Sequence, residues 1–167
     1  RVYGNPDNSY RNKNKLIDFA LGDNGGEMIS CSDMHFSHME NLTKSTTGID
    51  MSDGWETKRR RGPGHDWAIL KLGSPCAIER VIVDTLHFKG NFPDTCSIEG
   101  CYAPEQTNES FLNDKIDWTE LLHKSKLTAN QESVFILNNN LSITHIRFNI
   151  YPDGGVSRLR ILGRPTS

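Results

Sequence analysis

The chain has 167 residues and a net charge of −2, enough length for one packed domain and no global field to draw nucleic acid or an anionic membrane. It holds no apolar run of bilayer-spanning length and no signal-like N-terminal segment, so the expectation is a soluble protein. Cys31, Cys76, Cys96 and Cys101 form no C-x-x-C pair, which argues against a zinc knuckle and for free thiols in a reducing compartment.

Arg1-Val-Tyr-Gly-Asn-Pro6 echoes Arg160-Ile-Leu-Gly-Arg-Pro165. The echo suggests that residues 1–4 are the closing strand of an earlier, related unit, with a polar linker over 5–15. Leu16–Leu21 reads as a short strand or a single helical turn, and Glu27–Ser32 as a strand. Met34–Thr43 is either a short helix capped by Ser32 or Asp33, or loop. His35 and His38 stand near Glu40 there, but a histidine pair without a third ligand at set spacing points to surface more than to metal.

Asp53–Trp67 crowds two Trp, three Arg, a Lys, a His and three acids among three Gly and a Pro. Neither a buried strand nor a helix tolerates that mixture, so the stretch is a polar loop. Such loops carry function or are merely solvated turns anchored by their tryptophans. The chain then turns β. Trp67–Leu72 is an apolar run closed by Gly73-Ser-Pro75, and Ile78–Thr85, Cys96–Tyr102 and Ser133–Leu137 have strand composition. Ile143–Ile150 alternates, with Thr144, Ile146, Phe148 and Ile150 on one face and His145, Arg147 and Asn149 on the other. Val156–Gly163 puts Leu159 and Ile161 inward and Arg158 and Arg160 outward, after the turn Pro152-Asp-Gly-Gly155. Pro104–Lys126 shows at most a small strand or turn at Trp118–Leu122. Many short strands with turn-rich connections predict an all-β fold, an antiparallel β-sandwich.

Three loops concentrate reactive side chains: Asp53–Trp67, Asp84–Asp94 and Pro152–Arg158. No nucleophile elbow, P-loop or dinucleotide fingerprint accompanies them. Arginines suit a carboxylate, which they grip with paired hydrogen bonds. Glu56, Asp84 or His87 would move protons as catalytic groups, while Lys89 and Asn91 would bind polar substrate atoms. Beside this stands a plainer reading, in which Asp84 caps a turn, the arginines pair at the surface and Trp55 and Trp67 anchor the core.

Asp53-Gly-Trp-Glu-Thr57, Pro63-Gly-His-Asp-Trp67, Asp84-Thr-Leu-His-Phe-Lys-Gly-Asn91 and Pro152-Asp-Gly-Gly-Val-Ser-Arg-Leu-Arg160 resemble allantoicase, over about Gly26 to Gly163. The resemblance implies a jelly-roll, galactose-binding-like sandwich over 16–163, followed by a tail over 164–167. It also implies two such repeats in a full enzyme, this chain being the second. The implied reaction is hydrolysis of allantoate to ureidoglycolate and urea, in purine breakdown. In that reading Arg59 or Arg158 holds the substrate carboxylate, Asn91 and Asp53 bind ureido groups, and Glu56 or His87 is the acid or base. No cofactor is expected; a divalent metal stays open without a ligand set of convincing spacing. The implied partners are allantoate, the N-terminal repeat and further copies in a homo-oligomer, with no nucleic acid or membrane. Cytoplasm is the expected location, with the peroxisome second, although Pro165-Thr-Ser167 is no recognisable peroxisomal address. Two other readings compete: a non-catalytic ligand-binding sandwich with Trp55 as a stacking face, or a structural repeat supporting a site elsewhere.

Overall fold

The computed structural model describes residues 15–166. The closing strand expected over 1–4, and all but the last residue of the linker expected over 5–15, lie outside the described residues. The strands are β1 (Ile17–Asp18), β2 (Glu27–Cys31), β3 (Trp55–Glu56), β4 (Asp66–Asp84), β5 (Thr95–Cys101), β6 (Thr119–Lys126), β7 (Glu132–Ile136), β8 (Ile143–Tyr151), β9 (Gly155–Val156) and β10 (Arg158–Pro165). One short helix, α1 (Asn108–Asn113), joins them. Every strand pairing among the described residues is antiparallel.

β4 organises the sandwich. Its first half lies between β2 and β8, which continues to β5 and β6; its second half lies between β7 and β10, which continues to β1. The sequence predicts two strands here, separated by Gly73-Ser-Pro75. Instead one strand runs on, with its register to β8 interrupted between Lys71 and Cys76. Gly73 allows the continuation, because a Cβ there would sit 2.0 Å from the carbonyl oxygen of Asn24. Pro75, with no N–H to donate, fits at the break in the ladder.

A second irregularity sets which side chains reach the core. Leu162 pairs with Arg80 but Gly163 pairs with Ile78, so Glu79 is an extra residue in β4. The bulge reverses the alternation, and Ile78 and Val81 both face inward. They join Leu70, Ile98, Ile146, Phe148, Leu159 and Ile161 between the two layers. The alternation expected for β8 holds, yet its outer face is covered as well: His145 is 1% exposed and Asn149 2%. The cover over His145 is α1, which the sequence does not announce. Thr107 caps it by accepting the Ser110 N–H at 3.1 Å, and Phe111 stacks on the His145 ring at 4.0 Å. Burial pushes the His145 imidazole down to about 4, so it is neutral.

Two further expectations are corrected, over Met34–Thr43 and at Arg158. Met34–Thr43 is neither a full helix nor plain loop, but ends in a 3₁₀ turn over Met39–Thr43 whose cap is His38, accepting the Glu40 N–H at 3.3 Å. Ser32 and Asp33 do not cap it, because the turn begins only at Met39; the Asp33 carboxylate accepts the His35 and Lys58 N–H groups instead. Arg158, expected on an outer face in solvent, is 1% exposed. The segment 44–53 lies over that face of β10, and the Thr46 carbonyl accepts from Arg158 Nε at 2.7 Å. All four cysteines are free thiols. Burial raises Cys76 and Cys96 to about 12 and Cys101 to about 11.

Candidate active site

The three polar loops meet at one end of the sandwich, and backbone hydrogen bonds hold them there. Within the first loop, Trp55 and Glu56 form β3, which pairs with β9 as Trp55 opposite Val156 and Glu56 opposite Gly155. Thr57 N–H donates to the Gly154 carbonyl at 3.0 Å, and Gly154 N–H donates to the Thr57 hydroxyl at 3.0 Å. Gly155 N–H donates to the Asn91 carbonyl at 2.9 Å, which adds the Asp84–Asp94 loop. Glycine is required here: at Gly154 φ is +127°, and at Gly155 a Cβ would lie 1.9 Å from the Phe88 ring.

The clasp encloses a cleft of about 570 Å³ lined by Phe36, Glu56, Thr57, Arg59, Arg60, Asn91, Phe92 and Asp153, among others. Asn91 Nδ2 donates to Glu56 Oε2 at 2.5 Å. Arg60 is fixed at both ends: its N–H donates to Asp153 Oδ2 at 2.7 Å, and its Nη2 donates to the buried Asp66 at 2.9 Å. The Arg59 guanidinium is exposed and has no acceptor among the described residues. The cleft therefore offers a carboxylate oriented by an amide, a free guanidinium and a fixed one. It can bind an anion and move a proton within one volume.

Of the residues singled out from sequence, Glu56, Arg59 and Asn91 line this cleft. The others lie apart from it. Trp55 is fully buried, its Nε1 donating to the Asp33 carbonyl at 2.8 Å, so it has no face to offer a ligand. Arg158 donates to the carbonyls of Thr46, Asp53 and Ser157, the Thr46 hydroxyl and the Asp53 carboxylate, which leaves no donor for a substrate carboxylate. Asp53 is occupied by Arg158 and by Lys44 at 2.8 Å. Asp84 is buried and accepts the Leu86 N–H at 2.9 Å, the turn-capping role of the plainer reading. His87, at φ 77°, faces away, with Nε2 2.8 Å from the Gly48 carbonyl oxygen. Lys89 is exposed beside the cleft, not in its lining.

Arg60, Asp153, Thr57 and Phe36 are among the lining residues that sequence reasoning did not single out. The first three stand in loops it had singled out, but their contacts cross nearly the whole domain. No group of three or more His, Cys, Asp or Glu side chains placed to hold a metal occurs among the described residues. No helix among them is long and apolar enough to cross a membrane.

The family model for the allantoicase repeat matches residues 17–166, the whole sandwich with all three loops. The chain belongs to the allantoicase repeat family. It is 51% identical over 168 residues to a probable allantoicase of Pseudomonas fluorescens strain Pf0-1, covering 98% of this chain and 51% of that protein. It is 48% identical over 168 residues to a probable allantoicase of Stutzerimonas stutzeri strain A1501, with the same coverage of 98% and 51%. The chain thus spans about half the length of the curated relatives it matches. The crystal structure of allantoicase from Saccharomyces cerevisiae superposes with a TM-score of 0.78 at 41% identity, over 89% of this repeat and 43% of that chain. A chitosan-binding module from Paenibacillus sp. IK-5 shares the fold at a TM-score of 0.62 and 12% identity, over 89% of this chain and 99% of that one. The allantoicase repeat is accordingly an antiparallel jelly-roll sandwich of the galactose-binding-like kind.

Proposed function

We propose that this allantoicase repeat, as the second half of a two-repeat enzyme, hydrolyses allantoate to ureidoglycolate and urea in purine breakdown. The observation that carries the reading is the 2.5 Å contact of Asn91 with Glu56 inside a cleft that Arg59 and Arg60 also line. Allantoate is a carboxylate with two ureido groups on one carbon. Arg59, the guanidinium of this cleft with no acceptor among the described residues, takes the carboxylate. Asn91 accepts from a ureido N–H through Oδ1 while its Nδ2 orients Glu56. Glu56 takes a proton as water adds at the carbon and returns one to the nitrogen of departing urea. The same carboxylate serves whether urea leaves before water adds or as it adds. Every step is binding or proton transfer by a side chain of this cleft, with no cofactor invoked.

The working molecule in this reading pairs the repeat with the N-terminal repeat of its relatives, further copies assemble into a homo-oligomer, and the location is the cytoplasm. The test is Glu56→Gln in the full-length protein, assayed by urea release from allantoate. Loss of general acid–base catalysis costs about 10²-fold or more. Turnover within a few-fold of the parent would remove Glu56 as acid and base.

A further inference from the structure

A second cleft, of about 580 Å³, opens beside the first and shares Arg59 and Arg60 with it. Its lining adds Ser32, Asp33, Lys58, Arg61 and Asp66. Four cations face two carboxylates there, leaving two positive charges in excess on a chain whose net charge is −2. The carboxylates are already engaged. Asp33 Oδ2 accepts the N–H groups of His35 and Lys58 at 3.2 and 2.8 Å. Asp66 Oδ1 accepts the Ser32 hydroxyl at 2.8 Å and Arg60 Nη2 at 2.9 Å. The side chains of Lys58, Arg59 and Arg61 have no acceptor among the described residues. The Nε of Arg60 is buried and also has none.

Three unpaired cations on four consecutive residues repel one another. The Lys58, Arg59 and Arg61 head groups line the cleft with their donors unused, so a bound anion would relieve that repulsion. We infer that this cleft is a binding site for a small dianion of the phosphate type, separate from the Glu56 cleft. Lys58 and Arg61 form its outer wall, and Arg59 and Arg60 form the ridge between the two clefts. Because the ridge is shared, a dianion held here competes for the guanidinium that the neighbouring cleft presents. The site depends only on the charge and geometry of this loop, and it stands whether or not allantoate is the substrate.

The test is a titration of the ¹⁵N-labelled chain with inorganic phosphate at low ionic strength, against sodium chloride at matched ionic strength. Phosphate is expected to give saturable shifts at the amides of Ser32, Asp33 and Lys58–Gly62 that chloride does not reproduce. The double variant Lys58→Gln, Arg61→Gln changes two exposed side chains and is expected to weaken binding about tenfold or more, since each removes a charge-assisted contact. Lys115→Gln, a charge change outside both clefts, is expected to leave the affinity unaltered. Shifts that never saturate, that persist in the double variant, or that centre on Glu56, Asn91 and Asp153 overturn the proposal.

Discussion

Asn91 and Glu56, 35 positions apart, meet at 2.5 Å because β3 and the Asp84–Asp94 loop are both bound to the same turn before β10. The amide restricts the carboxylate to one orientation in the cleft, and orientation of an acid–base group is a large part of its effect. Asn91→Ala in the full-length protein is expected to lower kcat for urea release by about tenfold or more, with the double variant Asn91→Ala, Glu56→Gln no slower than Glu56→Gln alone. Additive losses would show that Asn91 acts independently of Glu56.

Gly155 carries the clasp. Its N–H bonds to Asn91, and a Cβ would lie within 2.2 Å of two carbons of the fully buried Phe88. Gly155→Ala is expected to destabilise the domain by about 1–3 kcal/mol, as overpacking does. It should also shift the amide resonances of Asn91 and Glu56 more than those of β6. Unchanged urea-unfolding midpoints and unmoved site resonances would contradict this.

Asp53 closes the segment 44–53 on itself through Lys44 and ties it to the sandwich through Arg158. The Lys44 ammonium, with help from Arg158, outweighs burial and holds the Asp53 carboxyl down to about 2. A carboxyl whose folded pKa is lowered stabilises fully above its unfolded value of about 3.9, and that stability is lost as pH falls toward 2. Arg158→Met is expected to cost about 3 kcal/mol or more, because it strands carbonyls and a carboxylate that Arg158 satisfies. Urea denaturation from pH 6 to pH 2 should show both the lower plateau and a shallower acid decline in the variant.

His145 adds a second loss of stability toward acid, in a higher pH window and from a different cause, burial of the imidazole. Its folded pKa of about 4 lies below the unfolded value of about 6.5, so protonation opposes folding. The stability it allows is complete above pH 6.5 and is lost as pH falls from there to 4, up to about 3 kcal/mol. Thermal melts of His145→Gln are expected to be flatter across that interval than those of the parent, and equal slopes would exclude His145 as the titrating group.

The longer strands of clear alternation were legible in the sequence because facing is a local property, whereas β3, β9 and most of β6 (Thr119–Lys126) were not. Alternation in Ile143–Ile150 and Val156–Gly163 places Phe148, Ile150, Leu159 and Ile161 in the core, as found. The polar loops were legible too, through glycine, proline and charge, and their motifs identified the allantoicase family. Length and periodicity could not show that β4 runs through Gly73-Ser-Pro75, since what permits it is the distant backbone of Asn24. Nor could they show that Glu56, Arg59 and Asn91 line one cleft while Trp55, Asp84, His87 and Arg158 do not. Those choices rest on contacts such as Thr57 with Gly154, 97 positions apart, and on the segment 44–53 covering a strand face that alternation alone assigns to solvent. Periodicity records which way a side chain points relative to its neighbours in the chain. Only the tertiary structure decided what lay in that direction, because the hydrogen bonds that bring loops together join residues with no local relationship.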